Sequence, residues 1–185
     1  MADWLINGLT IFFIDEDAVL TKMAMAYFLT LPRIPQLYYG TEILMQNTAK
    51  LGDHGLIRTD FPGGWDGDAT NAFAASGLSD AQLDMQQYLK TLLQFRKNST
   101  TIHEGRTIHF SPKDGVYLMF RIMDDNIVVL ILNKNDESYV LDLTKFKEIG
   151  LEEKKLKDVI TGNEILWKDS LTLEEKGATI LSTLK

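Results

Sequence analysis

The sequence of 185 residues contains no cysteine, which excludes disulfide bonds and thiol chemistry. It has only three histidines, His54, His103 and His109, and their dispersed positions lack the spacing of metal ligands. Basic residues are outnumbered 26 to 19, and the net charge of -7 argues against a nucleic-acid partner. No run of about 18 apolar residues could cross a membrane. We therefore expect no metal, cofactor, nucleic acid or membrane.

Apolar residues are abundant. They make up 45% of the sequence, and aromatic residues make up 10%. This composition is sufficient for a packed core, so the chain should fold. Its length suits one domain, or one domain and a fragment of another.

Residues 1–98 have helical periodicity at two places. The spacing predicts one helix from Asp15 to about Leu31, with Asp15 or Asp17 as its N-cap, and a second from Ser79 to about Asn98. Between them, the apolar run Ile34-Pro-Gln-Leu-Tyr-Tyr-Gly40 predicts one buried strand, in which Tyr38 and Tyr39 pack into the core. A loop of roughly 38 residues follows, and loops of this length usually carry function. The order helix–strand–long loop–helix fits the end of a (β/α)8 TIM barrel.

Residues 99–185 alternate with a period of two. Turn residues separate the apolar segments, and the charge-rich residues 145–157 suggest a solvated connection. The pattern predicts an all-β antiparallel sandwich of about seven or eight strands, so the chain as a whole is of the α+β class. We expect two domains, a barrel remnant at 1–98 and a sandwich at 99–185. The predicted strands are 116–122, 127–132, 138–143, 156–160, 170–173 and 178–182.

Two motifs carry a resemblance to a known family. The run Ile34-Pro-Gln-Leu-Tyr-Tyr-Gly-Thr-Glu-Ile43, followed by Gly55-Leu-Ile-Arg-Thr-Asp-Phe-Pro-Gly-Gly-Trp65, resembles glycoside hydrolase family 13, the α-amylase family. Its neopullulanase and cyclomaltodextrinase members are most similar. The resemblance implies the eighth barrel strand, the loop beyond it and a C-terminal β-sandwich. It also implies a parent enzyme that acts on α-glucans as a retaining glycosidase.

The family's catalytic motifs are missing from this sequence. It contains no Asn-His-Asp, which in the family precedes the helix that begins here near Asp15, and the nucleophile and the acid of the family lie further upstream. Retaining glycosidases need two carboxyl groups about 5–5.5 Å apart. In a barrel these come from the ends of different strands. We therefore expect the chain alone to be inactive, with no catalytic residue of its own.

Five residues are candidates for substrate binding in the intact parent. Glu42 follows the predicted strand, where a barrel places its site, and it could instead bond only to nearby backbone. The resemblance implies that Arg58 lies beside sugar subsites, and Arg58 could equally pair with Asp53 or Asp60 and tie the loop. Trp65 could stack on glucose or anchor the loop. His54 could bond a hydroxyl or be solvated.

Two other functions remain open from the sequence. The sandwich could be a non-catalytic carbohydrate-binding module, which requires exposed aromatic residues on one sheet, or a purely structural domain. Tyr117, Phe120 and Trp167 are expected in the core or at an inter-domain contact. A barrel remnant exposes apolar surface, so we also expect it either to collapse onto the sandwich or to associate with a second copy of the chain.

Overall fold

A computed structural model describes residues 17–45 and 58–184 of the chain. The chain separates into two compact units. Among the described residues, the first combines residues 17–21, 35–45 and 58–90, and the second combines residues 22–34 and 91–184.

Helix α1 spans Ala18–Thr30, slightly inside the predicted range. The carboxylate of Asp17 caps its first turn by accepting hydrogen bonds from Val19 N at 2.7 Å and Leu20 N at 3.2 Å. These bonds satisfy two amide groups that have no partner within the helix. The prediction of Asp17 as a cap is confirmed, while Asp15 lies outside the described residues.

Helix α2 spans Asp80–Asn98 and begins with a capping box. The hydroxyl of Ser79 accepts from Gln82 N at 3.3 Å, and the Gln82 side chain accepts from Ser79 N at 2.9 Å. This reciprocal pair ends the long loop at a fixed position. The buried apolar positions recur at helical spacing, as predicted: Met85, Tyr88, Leu89 and Leu92.

The predicted buried strand at residues 34–40 is wrong. The segment has no strand conformation in the structure, and Ile34 is 97% exposed. Tyr39 is 40% exposed, so its predicted role in the core is also wrong. A central barrel strand needs a hydrogen-bonded neighbour on each side. In the described part of the chain no strand pairs with this segment, and its apolar run alone does not create a sheet.

Eight antiparallel strands form two sheets in residues 106–183. The larger has the order β1-β2-β3-β8-β5-β6, and the smaller pairs β4 with β7. A short helix, α3 (Thr100–Glu104), precedes them. The strands are β1 Arg106–Lys113, β2 Val116–Met123, β3 Asn126–Asn133, β4 Tyr139–Asp142, β5 Lys155–Asp158, β6 Glu164–Leu166, β7 Ser170–Leu173 and β8 Gly177–Thr183.

The core of the sandwich lies between the two sheets. Phe120, Val129 and Leu181 are direct cross-strand neighbours on β2, β3 and β8, and each is fully buried. Trp167 is 1% exposed and packs against Phe120 with a ring separation of 6.1 Å. The expectation that Phe120 and Trp167 belong to the core is confirmed.

The charge-rich connection is less solvated than its composition indicates. Residues Leu143–Ile149 form a 3-10 helix, and Phe146 and Ile149 lie in the sandwich core. Leu151 and Leu156 follow in the same core. The lysine and glutamate residues between them lie on the outside of the segment. The high share of charged residues therefore obscured the apolar residues that face the core.

The larger sheet is also buried on its second face. Met119, Leu130 and Ile180 form a cross-strand row there, and none is more than 1% exposed. Helix α3 contacts β2 and β3. Tyr27 of α1 lies edge-on to Tyr117 of β2, at a ring separation of 6.0 Å, which confirms the expected packing role of Tyr117. Because β2 and β3 are covered on both faces, their sequences are almost continuously apolar.

Candidate functional site

Glu42 lies in a one-turn 3-10 helix, Thr41–Ile43. Gly40 precedes it with φ of 86°, and a Cβ atom there would lie 2.7 Å from Met45 Cβ. Only glycine fits this turn without strain. Ile43 is 1% exposed and anchors the turn, which leaves the neighbouring Glu42 half-buried.

The structure brings Tyr39, Arg58 and Asp60 together. The Tyr39 hydroxyl donates to Thr59 O at 2.8 Å, which joins the segment after α1 to the long loop. Burial and the hydrogen bond to Tyr38 both raise the pKa of Tyr39. The nearby Asp60 carboxylate raises this pKa further, whereas the Arg58 guanidinium lowers it. Arg58 and Asp60 themselves are exposed to solvent. A cation, a carboxylate and a phenol at one surface could each bond a sugar hydroxyl.

Trp65 lies on a turn that Asp68 organises. One carboxylate oxygen of Asp68 accepts from Gly63 N at 2.7 Å and from Trp65 N at 3.1 Å. The indole is 68% exposed, so Trp65 does not anchor the loop in this chain. Its ring is available for stacking on an apolar sugar face.

The rest of the loop has its own internal framework. Asn71 and Ser76 form a backbone bridge, and the Asn71 side chain accepts from two backbone amides within it. The rings of Phe61 and Phe73 lie 5.1 Å apart. Gln86 of α2 donates to Ala72 O at 3.0 Å, which ties the loop to the helix that follows. The described part of the loop is therefore ordered by local contacts.

Glu42 and Trp65 have no hydrogen bond or ion pair with Tyr39, Arg58 or Asp60 in the part of the chain that the structure describes. His54 lies outside the described residues. The sequence thus identifies the neighbours Arg58 and Asp60, whereas the structure adds Tyr39 as a third member. Asp68 was also missed, although an acidic residue in a glycine-rich turn is a known acceptor for backbone amides.

Within residues 17–45 and 58–184, no cluster has three histidine, cysteine or acidic side chains placed to hold a metal ion. No helix in the same residues is long and apolar enough to span a membrane.

Residues 107–182 match the family model of the cyclo-malto-dextrinase C-terminal domain. This range covers β1 to β8 almost completely. The sandwich is therefore a C-terminal domain of this type, and the resemblance to the α-amylase family is confirmed for it.

Solved structures extend the likeness to the helical part of the chain. The α-amylase of Geobacillus thermoleovorans, complexed with acarbose, is 23% identical and covers 97% of this chain with a TM-score of 0.71. Cyclic α-maltosyl-(1→6)-maltose hydrolase of Arthrobacter globiformis is 16% identical over 94%, with a TM-score of 0.65. Trehalulose synthase of Pseudomonas mesoacidophila is 15% identical over 91%, with a TM-score of 0.62. These likenesses show a shared fold.

The chain is much shorter than these enzymes. It spans 37% of the Geobacillus α-amylase, 32% of the Arthrobacter hydrolase and 38% of the trehalulose synthase. Helices followed by an antiparallel sandwich, as the sequence predicts, are thus the fold of one part of a larger enzyme type.

Proposed function

We propose that this chain is the C-terminal part of a retaining α-glucan hydrolase of the α-amylase, neopullulanase or cyclomaltodextrinase kind. The match of residues 107–182 to a cyclomaltodextrinase C-terminal domain carries the proposal. The fold shared with the acarbose-bound α-amylase supports it, because that likeness extends beyond the sandwich to 97% of the chain. We propose residues 1–98 as the end of the barrel and residues 99–185 as the sandwich that supports it.

The surface with Arg58 and Asp60 is proposed as the sugar-facing part of the chain in the intact parent. Arg58 offers several N–H donors in one plane, and Asp60 accepts hydrogen bonds from hydroxyls. Glu42 and His54 would add polar contacts, and the exposed Trp65 would stack on a glucose ring. The order provided by Asp68 and Tyr39 supports this role, because preorganised loops lose less entropy on binding.

The role of Arg58 is testable in a parent protein that contains the remaining barrel. One hydrogen bond from a charged group contributes about 1.5–3 kcal/mol, or roughly ten- to a hundredfold in catalytic efficiency. We expect Arg58→Ala to lower kcat/KM for maltodextrin by this factor without lowering Tm. Lys97→Ala, which removes an exposed charge from α2, is the matched control. A lowered Tm with unchanged efficiency would assign Arg58 to loop structure instead.

The isolated chain is proposed to be inactive on α-glucans. Its sequence has no Asn-His-Asp motif, and the double-displacement mechanism needs two carboxyl groups at the same sugar. The measurement is reducing-sugar release from starch, pullulan and β-cyclodextrin by the purified chain. Turnover that persists through purification and is abolished by Arg58→Ala would overturn this proposal.

A carbohydrate-binding module is the main alternative function for the sandwich. Such a module needs exposed rings, yet Phe120 and Trp167 are buried and Tyr117 packs against Tyr27. These positions favour the structural role. Titration with maltoheptaose distinguishes the two, since only a binding module would retain sugar affinity after Arg58→Ala and Trp65→Ala are combined.

Self-association of the isolated chain is proposed from its exposed apolar side chains. Phe73 is 77% exposed and Trp65 is 68% exposed in one unit, while Ile34 is 97% exposed in the other. Apolar surface of this kind favours contact with another molecule. Light scattering across a dilution series should show mass increasing with concentration, and Ile34→Ser with Phe73→Ser should reduce the increase. A strictly monomeric chain at all concentrations would contradict this proposal.

A further inference from the structure

Arg96 lies in the last turn of α2, and its guanidinium reaches the end of α1. Nη1 donates to Leu29 O at 2.9 Å and to Leu31 O at 2.7 Å, and Nη2 donates to Arg33 O. All three carbonyl groups belong to the C-terminus of α1 or to the three residues after it. The residue is 6% exposed, so these bonds are shielded from water.

The charge of Arg96 is compensated by carbonyl oxygens. Burial lowers the pKa of its guanidinium, yet arginine remains protonated in proteins. The last carbonyl groups of a helix have no partner within the helix, and they form the negative end of its dipole. Among the described residues, the hydrogen bonds of the Arg96 side chain go to one carbonyl group of the last turn of α1 and to two that follow the helix, and not to a carboxylate.

The third acceptor belongs to a residue with an unusual backbone. Arg33 has φ of 133°, a region that is favourable for glycine and costs other residues roughly 1–3 kcal/mol. Its own side chain is exposed, so packing of that side chain does not explain the conformation. The hydrogen bond from Arg96 holds its carbonyl group.

We propose that Arg96 is a positioning residue that holds residue 33 in this conformation and so fixes the backbone where the chain leaves α1. This role is independent of substrate and can be tested in the chain itself.

A double-mutant cycle measures the coupling between the two residues. Arg33→Gly relieves the strain, so in the wild-type background it should raise the folding equilibrium constant about fivefold. The gain is smaller than the full strain energy because glycine also increases the conformational entropy of the unfolded chain. In an Arg96→Met background the chain is free to relax, and the same change should give no gain. Arg33→Ala, which removes the same charge but retains Cβ, should give no gain in either background.

Hydrogen exchange supplies the readout that a general loss of stability would not give. The amide of Leu31 is hydrogen-bonded to Tyr27 O at the end of α1. Arg96→Met should accelerate its exchange at least tenfold more than that of Val129 and Leu130 in β3. Arg96→Lys should restore part of the protection, because an ammonium group can donate to some of the carbonyls. If Arg96→Met does not fold, Arg96→Lys replaces it in both measurements, and the effect expected in each is smaller in the same direction because some of the hydrogen bonds remain.

Two results would overturn the inference. One is an equal gain from Arg33→Gly in both backgrounds, and the other is uniform acceleration of exchange across both segments. Hydrolysis by the parent is measured separately. Loss of the proposed function would therefore leave the coupling intact, and loss of the coupling would leave the proposed function untouched.

Discussion

The second face of the large sheet offers the sharpest test of the fold. Leu130 lies in the middle of β3, points to the face opposite the sandwich core and is 1% exposed. Its cross-strand neighbours Met119 and Ile180 are equally buried. A sandwich with one solvated outer face would leave all three in water. We predict that Leu130→Ala destabilises the chain as strongly as a substitution in the core.

The expected magnitude follows from burial. Removing a buried leucine side chain to Cβ costs about 2–5 kcal/mol, the sum of lost transfer free energy and cavity formation. That is a large part of a total stability of roughly 5–15 kcal/mol. Leu181→Ala serves as the core control, because Leu181 is also fully buried. Leu181 pairs with Val129, which precedes Leu130 in β3 and therefore lies on the opposite face of the sheet. Val140→Ala, at a position 64% exposed, serves as the surface control.

Urea unfolding of the four proteins, followed by circular dichroism, measures the differences. We expect Leu130→Ala and Leu181→Ala to lower the free energy of unfolding by similar amounts, and Val140→Ala to change it by about 0.5 kcal/mol or less. A loss below about 0.5 kcal/mol for Leu130→Ala, together with a large loss for Leu181→Ala, would refute the covered second face. The helical cover would then contribute nothing to the sandwich.

Three further predictions concern local features. Ser79→Ala should cost about 1 kcal/mol in thermal or urea unfolding because it removes the capping box of α2, and Ser111→Ala in an exposed part of β1 should cost little. Asp68→Ala should accelerate amide exchange at Gly63 and Trp65 with no change in β3; unchanged exchange would show that the turn forms without Asp68. The pKa of Asp142 is lowered by the hydrogen bond from the Thr144 hydroxyl, and Thr144 N and Lys145 act in the same direction. The ionised carboxylate of Asp142 therefore contributes stability above the ordinary pKa of about 4, and this contribution is lost as pH falls through the lower pKa of the folded state. The Tm difference between wild type and Asp142→Asn should remain constant above about pH 5 and shrink below about pH 4.

The strands that the sequence predicts well are those with strong burial. In β2 and β3 the apolar residues leave no doubt about strand conformation, and both predicted ranges agree with the structure to within one residue at each end. The capped helix α2 is equally clear, because Ser79 and Gln82 specify its start through local hydrogen bonds. Local chemistry decides these elements, so a single sequence is sufficient.

Elements that depend on distant partners were missed. Strand β1 is mostly exposed and carries polar residues, and it exists because it pairs with β2 along its length. Strand β6 has three residues and depends on β5 in the same way. The opposite error occurred at 34–40, where an apolar run had no strand to pair with in the described residues.

The candidate site was predicted in part for a similar reason. Arg58 and Asp60 could be selected from their residue types and from the loop that carries them. Tyr39 could not be selected in this way, because its hydrogen bond joins it to Thr59, 20 positions further along the chain. The sequence pattern places Tyr39 in a buried strand, and the structure has no strand there. The role of Arg96 depends on acceptors more than 60 positions away. Contacts of this kind follow from the fold and are not encoded in a local pattern.

The most direct test of the proposed function compares this chain with a longer version that continues upstream into the preceding coding sequence. Reducing-sugar release from starch, pullulan and β-cyclodextrin is measured for both proteins at equal concentration. We predict no hydrolysis by the 185-residue chain and clear hydrolysis by the extended protein, whose added sequence should contain Asn-His-Asp and the two missing carboxylates. Hydrolysis by the short chain, or an upstream sequence that encodes no barrel, would contradict the account.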